Sequence, residues 1–111
     1  VEDYEVWNSY LLINDLLITT LGNLKEDKGA LWLNNNKTLK SLYKLEKIEF
    51  SLSLQNSNLN DLDELKHIES NIWLNNSKLD NIGKLEYVGG VWFDDSKNLK
   101  SLYEKRINTL R

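Results

Sequence analysis

The sequence contains no cysteine and no proline, and it contains only five glycines in 111 residues. Without cysteine no disulfide can form, and since disulfides stabilise many small secreted domains, their absence favours a reducing cytosol. No apolar run approaches the roughly 20 residues that a membrane-spanning helix needs. The sequence therefore predicts a single cytoplasmic domain without a membrane partner.

Positive charge is also scarce relative to negative charge. The formal net charge is −3 and the sequence pI is about 5.1. Proteins that bind nucleic acid without sequence preference need clustered lysine and arginine against the phosphates. Direct binding of DNA or RNA is therefore not expected, and electrostatic steering would favour a partner with a basic surface.

What the chain does have is an internal repeat of about 20 residues. Four apolar triplets recur in register, each followed by two polar residues: Leu31-Trp32-Leu33, Leu52-Ser53-Leu54, Ile72-Trp73-Leu74 and Val91-Trp92-Phe93. A weaker copy begins at Leu11, and further apolar positions recur in step, such as Leu39, Leu59, Leu79 and Leu99. A fixed period of this size is typical of a solenoid, in which each unit stacks on the next.

The pattern Leu-x-Leu-x-x-(Asn/Ser)-x-Leu-x-x-Leu-x-x-Leu resembles the leucine-rich repeat (LRR) family, in a short bacterial or phage-like form. It covers residues 10 to about 103, and the segment 83–93 is especially similar. The inward turn position holds Asn36, Ser57 and Ser77, where the family often has asparagine throughout. The resemblance implies a binding scaffold rather than an enzyme.

The expected fold is an α/β-type repeat solenoid with a small parallel β-sheet of about five strands. Because strand side chains alternate between faces, Leu31 and Leu33 should point inward and Trp32 outward. The return arms carry apolar residues at intervals of three, which favours irregular or 3₁₀ structure. The predicted division is an N-terminal cap at 1–9, about five repeats at 10–103 and a C-terminal cap at 104–111. Helical spacing of Tyr4, Trp7 and Leu11 suggests a cap residue at Trp7.

The candidate site is the outward face of the strands. An exposed row of tryptophans forms an apolar patch of the kind that marks a binding surface, and tryptophan is enriched at interface hot spots. The predicted partner-binding residues are Trp32, Ser53, Trp73 and Trp92, with Asn34, Gln55, Asn75 and Asp94 beside them. The gap at Ser53 is expected to form a shallow notch. The sequence therefore predicts a non-enzymatic protein-binding scaffold.

Several alternatives remain open at this stage. The indoles would stabilise the sheet without any partner if they packed on one another. With the flanking amides they would also suit a glycan-binding module, and a self-assembling structural unit would pair two copies as a homodimer. A specific role that fits the small size, the acidity and the phage-like repeat is an inhibitor of a host protein, such as an anti-CRISPR or other anti-defence protein.

No constellation predicts catalysis, a metal or another cofactor. Asp94-Asp95 with Asp80, and the acidic run 61–64, lack the spacing of a calcium loop. His67 is the only histidine, and it has no cysteine or second histidine to complete a metal site. Both acidic groups are expected to be solvated turn residues, and the predicted protein is not an enzyme.

Overall fold

The computed structural model of the chain describes residues 5–7, 11–12 and 20–92. These residues form a parallel β-solenoid, in which each coil pairs with the coils before and after it. None of the described residues lies in a helix. The parallel solenoid predicted from the repeat is confirmed, whereas the α part of an α/β architecture is not found in this part of the chain.

Two parallel ladders run along the solenoid. The first ladder joins β1 (Val6–Trp7), β3 (Glu26–Asp27), β5 (Lys47–Ile48) and the first halves of β7 (His67–Trp73) and β8 (Tyr87–Trp92). The second ladder joins β2 (Leu11–Leu12), β4 (Leu31–Trp32), β6 (Leu52–Ser53) and the second halves of β7 and β8. The second ladder is the five-stranded sheet that the repeat predicts. The first ladder lies in segments that were predicted as irregular return arms and cap.

The two long strands β7 and β8 carry both ladders around one corner of the coil. Their register shifts between Ile68 and Asn71, where β7 has one residue more than β8. Gly89 lies opposite this bulge, and a Cβ there would come within 2.5 Å of the Ser70 carbonyl oxygen and 2.6 Å of the Glu69 carbonyl oxygen. Only glycine therefore fits at this point without displacing backbone.

The apolar residues of each coil fill the interior of the solenoid. The inward strand residues predicted from alternation are buried: Leu31, Leu33, Leu52, Leu54, Ile72 and Leu74. The residues spaced by three along the return arms are buried as well: Leu39, Leu42, Leu45, Ile48, Leu59, Leu62, Leu65, Ile68, Leu79, Ile82, Leu85 and Val88. Both predictions are confirmed, and because each coil contributes to one continuous core, stacking supplies the burial that a single coil lacks.

A side-chain hydroxyl, carboxylate or amide oxygen shapes one turn in every described return arm. Thr20, Ser41, Asp61 and Asn81 each accept a hydrogen bond from the backbone N–H two residues later, at 2.8–2.9 Å. The accepting residue is one of the types that form such local turns. The residue that donates its N–H has a positive φ in each case, namely Gly22, Tyr43, Asp63 and Gly83. These are single turns, which explains how residues spaced by three reach the core without a helix.

Another turn follows β4, β6 and β7 and places asparagine in the left-handed region. Asn35, Asn56 and Asn76 have φ angles of 63°, 57° and 54°. Each is the third residue of a four-residue turn. The N–H of the fourth residue donates a hydrogen bond to the carbonyl oxygen of the first, as for the Ser57 N–H and the Leu54 carbonyl at 3.1 Å. Asparagine tolerates this conformation better than other residues that have a Cβ. The conformation of the turn therefore favours the repeated asparagine.

We expect Asn56→Ala to lower the thermal midpoint by about 4 °C, because alanine in the left-handed region costs about 1 kcal/mol. Asn56→Gly should lower it less, since glycine adopts the same φ without strain. Thermal unfolding followed by circular dichroism measures both variants. An Asn56→Ala midpoint equal to that of the wild type would contradict this account of the turn.

The structure describes residues 5–7 of the predicted N-terminal cap. Trp7 packs against the core, as expected of a cap residue, but Val6–Trp7 form a strand rather than part of a helical face. Their pairing with Glu26–Asp27 gives the segment the position of a repeat strand. The helical prediction failed because the spacing of apolar residues over so short a segment also fits a strand that is set by pairing with the next coil. The C-terminal cap at 104–111 lies outside the described residues.

Candidate functional site

The second ladder brings three of the predicted tryptophans into one column. Parallel pairing places Trp32 beside Ser53, Ser53 beside Trp73, and Trp73 beside Trp92. The indoles of Trp73 and Trp92 stack with centroids 5.3 Å apart and an angle of 10° between their planes. This separation follows from the spacing of about 4.8 Å between paired strands. We call Trp32, Ser53, Trp73 and Trp92 the tryptophan column.

The exposed end of the tryptophan column is Trp92. Trp32 and Trp73 are partly buried, whereas 54% of the Trp92 surface is exposed. Trp92 is the most exposed of the large apolar side chains in the described part of the chain. Because indoles stacked on consecutive strands restrain each other, the apolar surface they offer is already ordered.

Ser53 lies between Trp32 and Trp73, at the position where the sequence suggested a shallow notch. Only 1% of its surface is exposed, and its hydroxyl donates a hydrogen bond to the side-chain oxygen of Asn34. A small residue between two indoles leaves space, but the amide of the neighbouring column satisfies the hydroxyl and Ser53 lies below the accessible surface. The Ser53 hydroxyl therefore links the tryptophan column to the neighbouring amide column.

The amide column predicted beside the tryptophans is present in part. Asn34 and Gln55 are partly buried, and Asn75 is exposed. Asp94, the fourth member, lies outside the described residues. The column therefore borders the tryptophans on one side with neutral hydrogen-bonding groups over the three coils that the structure describes.

A further amide ladder, which the sequence analysis did not identify, lies one residue beyond. The Asn56 side-chain amide donates to the side-chain oxygen of Asn35 at 2.9 Å, and that of Asn76 donates to the side-chain oxygen of Asn56 at 2.6 Å. The three positions recur at the repeat period, which was the available signal. These hydrogen bonds fix the edge of the face that carries the tryptophan column.

The acidic residues of the return arm join neighbouring coils. Asp63 accepts hydrogen bonds at one carboxylate oxygen from the Ser41 hydroxyl at 2.9 Å and from the Leu42 N–H at 3.1 Å. Asp61 accepts from the Asp63 N–H at 2.9 Å. Within the described ranges, no three histidine, cysteine or carboxylate side chains are grouped as metal ligands would be. Asp61 and Asp63 thus have a structural explanation.

The first ladder carries a second pair of stacked rings on a different part of the surface. His67 and Tyr87 stack with centroids 4.9 Å apart and an interplanar angle of 16°. His67 Nε2 lies 3.1 Å from a carboxylate oxygen of Glu69, beside a shallow cleft of about 220 Å³ lined by Lys47, Glu49, His67 and Glu69. The sequence did not indicate this stack, because His67 and Tyr87 are neighbours only through the pairing of β7 with β8. A surface pair such as His67 and Glu69 contributes little to the free energy of unfolding.

One buried carboxyl group was also missed. Asp27 occupies an inward position of the first ladder that Ile48, Ile68 and Val88 occupy in later coils. Its residue surface is 0% exposed, and burial raises the pKa of Asp27 to about 6 although a hydrogen bond from the Gly29 N–H acts in the opposite direction. An acid in an otherwise aliphatic column was the signal in the sequence.

Comparison with protein families, with curated proteins and with solved structures found no match to this chain. In the part of the chain that the structure describes, no helix has the length and apolar character to cross a membrane.

Proposed function

We propose that the chain is a non-enzymatic protein-binding scaffold of the leucine-rich-repeat type, which binds its partner through the tryptophan column. The observation that carries the proposal is the stacked pair of Trp73 and Trp92, with Trp92 54% exposed. An ordered aromatic surface lowers the entropy lost on binding. Tryptophan is also among the residues whose truncation most often weakens protein interfaces.

Stacking of the indoles supports a protein partner over a glycan. A sugar ring binds against an open indole face, but one face of Trp73 and one face of Trp92 cover each other. The edges and the remaining faces suit contact with protein side chains of varied shape. The amides of Asn34, Gln55 and Asn75 would then form a polar rim, as at the margin of most protein interfaces.

Binding is also favoured over catalysis by the composition of the cleft on the first ladder. Its four lining side chains, Lys47, Glu49, His67 and Glu69, include no hydroxyl or thiol beside the histidine. The His67–Glu69 pair therefore has no serine, threonine or cysteine nucleophile among the residues that line this cleft. We propose accordingly that the protein acts without a cofactor, in the reducing cytosol that the lack of cysteine favours.

Inhibition of a host protein, as by an anti-CRISPR or other anti-defence protein, is the specific role that we attach to this proposal. Its support is the sequence: a short phage-like repeat, 111 residues and a net charge of −3. A rigid face of this kind would inhibit by covering a functional surface of its partner, and an acidic protein would favour a basic one.

We expect Trp73→Ala to weaken partner binding by about 30-fold, the equivalent of losing about 2 kcal/mol at an interface hot spot. The test is affinity capture from an extract of the source cells, followed by titration of the retained protein against purified variants. Circular dichroism of each variant establishes that the fold is kept.

Tyr87→Ala is the matched control, because Tyr87 is 47% exposed and also stacked, but lies on the first ladder. Binding should be unchanged in this variant. If Trp73→Ala binds as tightly as the wild type, the tryptophan column stabilises the sheet and is not the binding surface.

A further inference from the structure

The interior column of the first ladder contains one residue that can ionise. The column is Trp7, Asp27, Ile48, Ile68 and Val88 in the order of the strands. Asp27 is fully buried, as are Ile48 and Ile68, and Trp7 packs against the same core. The carboxyl group thus occupies a position that the rest of the column fills with apolar side chains.

Among the described residues, only one of the two oxygens of the Asp27 carboxyl group has a hydrogen-bond partner. Its Oδ1 accepts a hydrogen bond from the Gly29 N–H at 2.9 Å, and its Oδ2 is buried without a hydrogen-bond partner among the described residues. An ionised carboxylate needs hydrogen bonds to both oxygens when it is withdrawn from water. The neutral acid therefore fits this environment better than the carboxylate.

Strand β1 separates this group from the solvent on one side. Backbone hydrogen bonds join β1 to β3, among them Lys25 N–H to the Glu5 carbonyl at 2.7 Å, Glu26 N–H to the same carbonyl at 3.0 Å, and Lys28 N–H to the Trp7 carbonyl at 2.7 Å. On the other side, β5 continues the ladder. Departure of β1 would thus uncover Asp27 while leaving the later coils paired.

Among the described residues, no charged side chain forms a hydrogen bond with the buried carboxyl group of Asp27. The described ionisable groups on and beside these strands are Glu5, Lys25, Glu26, Lys28, Glu46, Lys47 and Glu49. All seven are exposed or partly exposed, whereas Asp27 is directed into the core. The balance between neutral and ionised Asp27 therefore depends on access to water, which β1 controls.

We propose that Asp27 is a proton-controlled latch for strand β1, in which the neutral acid keeps β1 docked and the carboxylate favours its release. The direction follows from linkage: burial raises the pKa of Asp27 from the ordinary 3.8 to about 6 while β1 is docked. Docking is therefore strongest below pH 4 and weakens as the pH rises through 6. Above about pH 7 no further weakening is expected, because Asp27 is then ionised in both states.

The test is hydrogen exchange of the Lys25, Glu26 and Lys28 amides between pH 4 and pH 7, corrected for intrinsic exchange. Release of β1 should lower their protection by about 50-fold over this range, from the difference between the two pKa values. The matched control is the Glu46 and Glu49 amides, which donate to carbonyls of Lys25 and Asp27 and join β5 to β3. Their protection should not follow this pH dependence.

Two variants keep the test decisive. Asp27→Val introduces valine, the residue found at the equivalent position 88. It should abolish the pH dependence of amide protection. Asp27→Asn retains an acceptor for the Gly29 N–H but does not ionise, and it should also abolish it. Equal protection of the three amides at pH 4 and pH 7 in the wild type would overturn the proposal, as would a pH dependence that survives in either variant.

Discussion

Leu65→Ala should destabilise the protein by about 3 kcal/mol, as is typical of truncating a leucine in a packed core. Leu65 is 0% exposed and lies between Leu45 and Leu85, its counterparts in the coils on either side. The cavity would therefore interrupt the core between coils. Because a domain of this size is stable by about 5–15 kcal/mol in total, the urea midpoint should fall markedly.

The adjacent residue supplies the control for this prediction. Lys66 is exposed and its ammonium lies 4.0 Å from a carboxylate oxygen of Glu46. Such surface pairs are worth less than about 1 kcal/mol, so Lys66→Ala should leave the urea midpoint almost unchanged. A Leu65→Ala loss no larger than that of Lys66→Ala would show that the coils do not share the core described here.

Gly89→Ala should lower the free energy of unfolding by about 3 kcal/mol, as much as Leu65→Ala. The cause here is overpacking rather than a cavity. The new Cβ would lie 2.5 Å from the Ser70 carbonyl oxygen and 2.6 Å from the Glu69 carbonyl oxygen. Both atoms belong to the backbone of the β7 bulge, so the two strands must separate to admit the methyl group. The measurement is urea unfolding followed by circular dichroism.

Gly90→Ala provides a comparison at the next residue. Its Cβ would meet the end of the Asn71 side chain, and the next nearest atom is 3.6 Å away in the same amide. Because that amide can rotate, the expected cost is below about 1 kcal/mol. Similar losses for Gly89→Ala and Gly90→Ala would contradict the close approach of β8 to the bulge.

The spacing of apolar residues in the sequence predicted the core and the second ladder correctly. Alternation over Leu31-Trp32-Leu33 defines two faces by itself, and the period of about 20 residues brings Trp73 and Trp92 to neighbouring strands. The alternation reflects the geometry of a strand, and the period reflects the stacking of coils. Because both recur along the chain, both can be read from the sequence.

The first ladder was not predicted, because its strands are too short to show alternation. Segments such as Glu26–Asp27 and Lys47–Ile48 have two residues each, and they become strands through pairing with other coils. Local composition does not distinguish them from a turn. The stack of His67 on Tyr87 and the burial of Asp27 depend on this ladder, and they were missed with it.

The candidate site was predicted in outline but not in detail. The size of Ser53 indicated a gap, whereas its hydrogen bond with Asn34 depends on a side chain from the neighbouring coil. The turn preference of Asn35, Asn56 and Asn76 was readable from their common position, but their side-chain hydrogen bonds follow from the register of the coils. Contacts between coils are thus the part that the pattern of one repeat leaves undetermined.

The central claim is that the tryptophan column is the surface that contacts a protein partner. The most direct test places the photo-crosslinking residue p-benzoylphenylalanine at position 92 and, in a second variant, at position 87. Both positions are exposed and aromatic, but they lie on different ladders. After irradiation in an extract of the source cells, the account predicts one crosslinked protein from position 92 and none from position 87. A crosslink from position 87 alone, or the same products from both positions, would contradict it.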